Sequence, residues 1–279
     1  MPSLVLEGGT FRPIFSCGVM DALLEEEIMF PYCIGVSAGI SNGISYISKQ
    51  AKRNLDIGMK YRNDKRYLGV KNYKVQKSLF GLDFIFGEIP NELEPFDWET
   101  YQSYEGTILV GVSNALTAKP EYKNGLEMDK NFTMLRATCA LPMFFPAIYL
   151  DNIPYFDGGI CDPIPIRKAI EDGNQKHLIV LTRTADYQKK LGRSTRLTAK
   201  LMNKKYPELA KILLHRHEAY NETVAFCNQL EREGQAVVIR PEVPINSFEK
   251  DTKKLQFAYD EGVRLAKQRM DEIKQLFEV

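Results

Sequence analysis

The chain is short of histidine and cysteine, carries almost no net charge and holds no long apolar run, and each shortage removes a class of function. Five cysteines, at positions 17, 33, 139, 161 and 227, form no C-x-x-C pair and have no histidine at zinc-finger spacing. An odd, scattered set of this kind reads as reduced core thiols rather than a disulfide framework or a structural zinc site. No cluster of Asp, His or Cys has metal-ligand spacing, so neither a metal nor any other cofactor is expected. The 37 basic residues are balanced by 36 acidic ones, which leaves no global field to attract nucleic acid. No stretch approaches 18 uninterrupted apolar residues, and Ser3-Leu4-Val5-Leu6 follows the first two residues with no basic or apolar leader before it. The expectation is a cytoplasmic protein, and peripheral contact with a membrane would need no spanning segment.

What is present is the material of an ordinary globular fold. Hydrophobic residues make up 44% and charged residues 26% of the 279 positions, and a domain of this size buries about 75% of its unfolded surface. No repeat, low-complexity tract or Gly/Ser linker marks a boundary, so a single domain over residues 1–279 is expected. Short apolar runs alternate with segments of helical period, the pattern of a mostly parallel sheet flanked by helices. Strands are predicted at residues 3–6, 32–36, 107–112, 177–182 and 236–240. A hairpin is predicted around Asp151-Asn152, delivering the chain to Asp157. Helices are predicted from Pro13 and over residues 38–50. A last helix carries Leu255, Tyr259, Gly262, Ala266, Met270, Ile273 and Phe277 on one stripe, facing the sheet. Charge is segregated: nine Lys/Arg between Lys189 and Arg216 face only Glu208. That run reads as a solvated face, or as a surface for anionic lipid headgroups.

Three short patterns carry chemistry. Gly35-Val36-Ser37-Ala38-Gly39 fits G-x-S-x-G at a strand-to-helix junction, where a tight turn thrusts the serine hydroxyl outward and the helix directs its positive end at developing negative charge. Glu7-Gly8-Gly9-Thr10-Phe11-Arg12 stands between the first strand and the first helix, and consecutive N–H groups in such a loop can converge on an anion. It matches neither dinucleotide nor P-loop patterns. Asp157-Gly158-Gly159 ends a strand beyond the midpoint. Serine needs a base within hydrogen-bond reach, and an aspartate serves when burial raises its pKa from about 3.9 toward the working pH.

The order and spacing of these three patterns, with the segment Leu135 to Pro146 ahead of the third, resemble the patatin-like phospholipases. The resemblance covers mainly residues 4–50 and 133–166. It implies a three-layer α/β/α fold with a mostly parallel central sheet and lipid acyl hydrolase activity through a Ser–Asp dyad. By position it makes Ser37 the nucleophile and Asp157 the base, with an oxyanion hole at Gly8, Gly9 and Thr10 and the family's arginine at Arg12. The family has glycine where this chain has Thr10 and Pro13, which bears on the loop's geometry and its set of donors. Two other readings stand beside it. His177, His215 or His217 could complete a Ser-Asp-His esterase of the α/β-hydrolase kind, and the chain could be a lipid-binding regulator that has lost turnover.

Overall fold

A computed structural model describes residues 1–278 of the chain. Its centre is one mixed sheet of eight strands: β1 (Pro2–Leu6), β2 (Tyr32–Val36), β3 (Thr107–Asn114), β4 (Pro120–Asn124), β5 (Ile148–Leu150), β6 (Ile153–Asp157), β7 (Lys176–Val180) and β8 (Ala236–Ile239). The spatial order is β5-β6-β3-β2-β1-β7-β8, with β4 also paired to β3. The five strands from β3 to β8 along this order are mutually parallel. The pairs β3–β4, β3–β6 and β5–β6 are antiparallel.

Alternation along the strands splits the core into two layers. Leu4, Leu6 and Cys33 pack into one cluster, whereas Val5, Tyr32 and Ile34 pack into the other. Successive strand residues face opposite sides, so strands covered on both faces read as continuous apolar runs. That is why β1, β2, β3, β7 and β8 stood out in the sequence. The hairpin between β5 and β6 turns on Asp151 and Asn152 with φ of 49° and 65°, the pair of positive values that a two-residue hairpin of this twist needs. Strand β4 escaped prediction because Pro-Glu-Tyr-Lys-Asn is an edge strand with no buried residue to give it a period.

The helices that matter for the site are α1 (Ile14–Glu25), α2 (Ser37–Ile47), α3 (Thr133–Thr138), α4 (Arg193–Met202), α5 (Pro207–Arg232) and α6 (Thr252–Gln268). Helix α2 stops before Gln50 because Lys49 takes φ of 56°. The final helix departs from its prediction in two ways. It breaks at Arg269 into α6 and a short helix, Met270–Gln275, and α6 lies against α1 rather than directly on the sheet. The crossing is close enough that a methyl group on Gly18 would overlap the Tyr259 carbonyl oxygen, and one on Gly262 the Phe15 carbonyl oxygen. The Tyr259 hydroxyl donates to Asp21 across the same contact at 2.7 Å. Among the described residues no helix is long and apolar enough to cross a membrane.

This contact fixes the sign of one substitution. Glycine to alanine within a helix ordinarily gains up to about 1 kcal/mol of propensity, but overpacking a close helix pair costs about 1–3 kcal/mol. Gly18→Ala is therefore expected to destabilise the protein by about 1–2 kcal/mol net, read as a lower urea midpoint. An unchanged or higher midpoint would show that the two helices can part freely.

Candidate active site

Strands β1 and β2 are neighbours in parallel register, with Leu6 opposite Gly35, so the segments leaving their C-terminal ends meet. Ser37 heads α2 with φ of 53°, a left-handed conformation, which turns the chain sharply out of the sheet. Its backbone N–H donates to the Thr138 hydroxyl at 2.8 Å, and that hydroxyl donates in turn to the Gly111 carbonyl at 2.5 Å. Thr138, at the end of α3, thus ties the serine turn to β3. It lies inside the segment that resembles the family's, but nothing in the residue type announces this role.

The loop after β1 approaches the serine closely. A Cβ placed on Gly8 would stand 2.8 Å from the Ser37 Cβ and 3.6 Å from its Oγ. Gly9 has φ of 151° and Thr10 a φ of 61°, so the β-branched residue does sit in the left-handed region, at a steric cost. Pro13 stands at the N-cap of α1, where a missing N–H costs no helical hydrogen bond. Among the described residues the N–H groups of Gly8, Gly9 and Thr10 donate to no backbone carbonyl, while that of Phe11 reaches Ser247 and that of Arg12 turns back to Gly9. The Arg12 side chain is buried under the loop. Its Nε donates to Thr182 at 3.2 Å and its Nη1 to Ser247, and its guanidinium covers Gly9 so closely that any side chain there would collide with it. Glu7 accepts from the Thr182 N–H at 2.6 Å. Thr182 also donates from its hydroxyl to the Gly8 carbonyl at 3.0 Å.

Asp157 ends β6 and is 2% exposed. One carboxylate oxygen accepts from the Gly159 N–H at 2.8 Å. Burial pushes its pKa up from the ordinary carboxylate value, opposed in order by the nearby Ser37 hydroxyl and the charge of Arg216. Gly158 packs on the Gly111 carbonyl with no room for a side chain. Arg216, projecting from α5, donates to the Gly159 carbonyl. The tertiary structure therefore gathers Gly8, Gly9, Thr10, Ser37 and Asp157 at one place. It adds Thr138 and Arg216, which the sequence did not point to.

A cavity of about 160 Å³ opens at the serine, lined by Ser37, Ser41, Phe80, Phe86, Phe132 and Phe145 among others. The segment 78–87, dense in large apolar groups, contributes to it. The contribution comes from Phe80, Ile85 and Phe86 and not from Phe84, which packs edge-on against Tyr61 and under the Arg66 guanidinium. Phe84 opens the π-helical segment Phe84–Leu93, and no helical or strand period in the sequence foretells that winding.

The histidines stand apart from this centre. His177 lies in β7, bonded to the Ser3 hydroxyl at 2.8 Å, and burial pulls its pKa down to about 4. His215 and His217 are on α5, both beside Glu218 at 3.1 and 3.7 Å. Among the described residues none of the three bonds to Ser37 or Asp157, and no group of three or more His, Cys, Asp or Glu could hold a metal ion.

A mostly parallel α/β sheet with a serine on a strand-to-helix turn defines a broad class of α/β proteins, and comparison narrows it. The patatin-like phospholipase family profile matches residues 4–170, more than half of the chain, which therefore belongs to that family of lipid acyl hydrolases. A second profile, a domain of unknown function designated DUF6363, matches residues 206–278. The uncharacterized protein YjjU of Escherichia coli (strain K12) is 24% identical over 253 residues, which cover 88% of this chain and 70% of that one. The crystal structure of VipD from Legionella pneumophila aligns with 97% of this chain at 14% identity and a TM-score of 0.48; the chain spans 66% of that protein.

The raised pKa of Asp157 has a consequence for stability. A carboxyl whose folded pKa lies above its unfolded value adds stability below the unfolded value, about 3.9, and loses it as pH rises through the folded one. Asp157→Asn removes the buried ionisation and keeps an acceptor for Gly159. It is expected to raise Tm at pH 7 by about 2 °C or more, with the gain vanishing near about pH 4. A scanning-calorimetry series showing a lower Tm at pH 7 would mean that Arg216 more than offsets the burial of the charge.

Proposed function

We propose that this chain is a metal-independent serine lipid acyl hydrolase in which Ser37 and Asp157 act as a dyad. The observation that carries the reading is a left-handed Ser37 whose hydroxyl acts on a buried, pKa-raised Asp157, beside a loop whose Gly8, Gly9 and Thr10 N–H groups have, among the described residues, no backbone partner. Asp157 takes the proton as Ser37 Oγ attacks the ester carbonyl, and the oxygen of the tetrahedral intermediate forms hydrogen bonds with the loop N–H groups. The leaving alcohol departs with the proton from Asp157, and water then repeats the sequence on the acyl-enzyme. The dipole of α2 points its positive end at the same oxyanion. The acyl chain occupies the aromatic cavity at Ser37, and Arg12 supports the loop from beneath through Thr182 and Ser247.

Ser37→Ala and Asp157→Asn are each expected to lower kcat/KM on a chromogenic short-chain ester by about 1000-fold or more. His177→Ala, His215→Ala and His217→Ala should retain most of the activity. A single folded but inactive histidine variant would replace the dyad with a triad. Wild-type protein that a fluorophosphonate fails to label at Ser37 would instead favour a lipid-binding regulator. Phe86→Ser is expected to raise KM for long acyl chains about tenfold while affecting a butyrate ester less than twofold, since a short chain leaves most of the aromatic wall unused. An equal loss on both would place the acyl chain elsewhere.

A further inference from the structure

Beside Asp157, and apart from the residues that line the aromatic cavity, lies a group of cations that the acyl hydrolase mechanism does not use. Arg216 on α5 reaches to within 3.2 Å of the Cβ position of Gly159, which is itself 3.1 Å from the Asp157 carboxylate. Arg183 lies over the Tyr187 ring at 4.2 Å and Lys189 over the Tyr220 ring at 4.7 Å, and the two rings meet edge to face. The Lys189 backbone is clipped to Asn221 of α5 by two hydrogen bonds of 2.9 and 3.0 Å, which anchors the loop after β7 to that helix.

The charges here do not balance. Arg12, Arg183, Lys189 and Arg216 act on one another, with Glu7 and Asp157 as carboxylates close enough to be felt. Among the described residues none of these six groups takes part in an ion pair within 4.0 Å. Burial first, and then the like charge of Arg216, pull the Lys189 ammonium well below its usual pKa, with Glu7 opposing them. Aromatic faces hold Lys189 and Arg183 in place without neutralising them. Arg12 is buried and bonded to Thr182 and Ser247, but Arg183, Lys189 and Arg216 remain partly open to solvent. None of these three lines the aromatic cavity, so an acyl chain held there leaves them uncovered.

The geometry points to Arg183, Lys189 and Arg216 as a subsite for a phosphate on the leaving alcohol of the ester, a lipid headgroup phosphate, resting on the acyl hydrolase reading above. Guanidinium forks and an ammonium, carried by the loop after β7 and by α5, suit the oxygens of a phosphate. All three residues lie beyond the 4–170 stretch that matches the family, and Arg216 lies within the 206–278 stretch of the second profile. That stretch thereby contributes to headgroup selection as well as packing.

The test measures binding in protein carrying Ser37→Ala, so that it does not depend on turnover. Calorimetric titration compares dihexanoyl phosphatidic acid, dihexanoylglycerol and inorganic phosphate, with both lipids below their micellar concentrations. Phosphatidic acid is expected to bind about tenfold more tightly than the neutral lipid. Adding Lys189→Gln, or separately Arg183→Gln, should lower that ratio at least about fivefold, and Lys189→Arg should restore most of it. Arg216 is left intact because it holds the Gly159 carbonyl. Equal affinity for the two lipids, or a ratio unmoved by both glutamine variants in folded protein, would overturn the subsite. Inorganic phosphate binding as tightly as the phospholipid would overturn the headgroup in favour of a free ion. If Ser37→Ala retained turnover on esters, the dyad would fail, while the ratio of affinities would still decide the subsite.

Discussion

The site depends on one close approach, where the segments leaving two adjacent parallel strands meet at the limit of van der Waals contact. Gly8 stands against the Ser37 Cβ, Gly39 against the Glu7 carbonyl, and Gly35 against Leu6, with no room for a side chain at any of the three. The approach is held at a cost, since Ser37 and Thr10 both occupy left-handed conformations, each worth about 1–3 kcal/mol of strain. Packing from three directions maintains it. Thr138 ties the serine turn to β3, Arg12 fills the space under the loop, and Glu7 links the loop to the end of β7 through Thr182.

Around this junction burial and charge act in opposition on one carboxylate: burial pushes the Asp157 pKa up, while the Ser37 hydroxyl and the Arg216 guanidinium pull it down. Arg216 also holds the Gly159 carbonyl, so one residue of α5 steadies both the backbone and the charge of the turn that carries Asp157.

The stretch after residue 170 is therefore part of the same structure. Strands β7 and β8 extend the sheet beside β1, Thr182 and Ser247 hold Arg12, and α6 lies on α1 through a glycine contact at Gly18 and Gly262. Since α1 follows directly from the Gly8–Arg12 loop, the loop is braced from both its ends by elements distant in sequence.

By itself the sequence determined the local geometry: the apolar runs of β1, β2, β3, β7 and β8, the hairpin turn at Asp151-Asn152, and the loops around Gly8, Ser37 and Asp157. Each depends on residues adjacent in the chain, through strand alternation, turn conformation or the absence of a Cβ. The family resemblance rested on the same local patterns, and so extended only as far as they do. Edge strand β4, the π-helical segment Phe84–Leu93 and the break at Arg269 have no apolar period that foretells them. The parts played by Thr138, Lys189 and Arg216 were decided by packing against distant elements. A threonine at a helix end or an arginine on an exposed helix has no local signature that says what it will touch. A hydrogen bond across 101 positions of chain, such as that between Ser37 and Thr138, exists only once the sheet has brought its strands together.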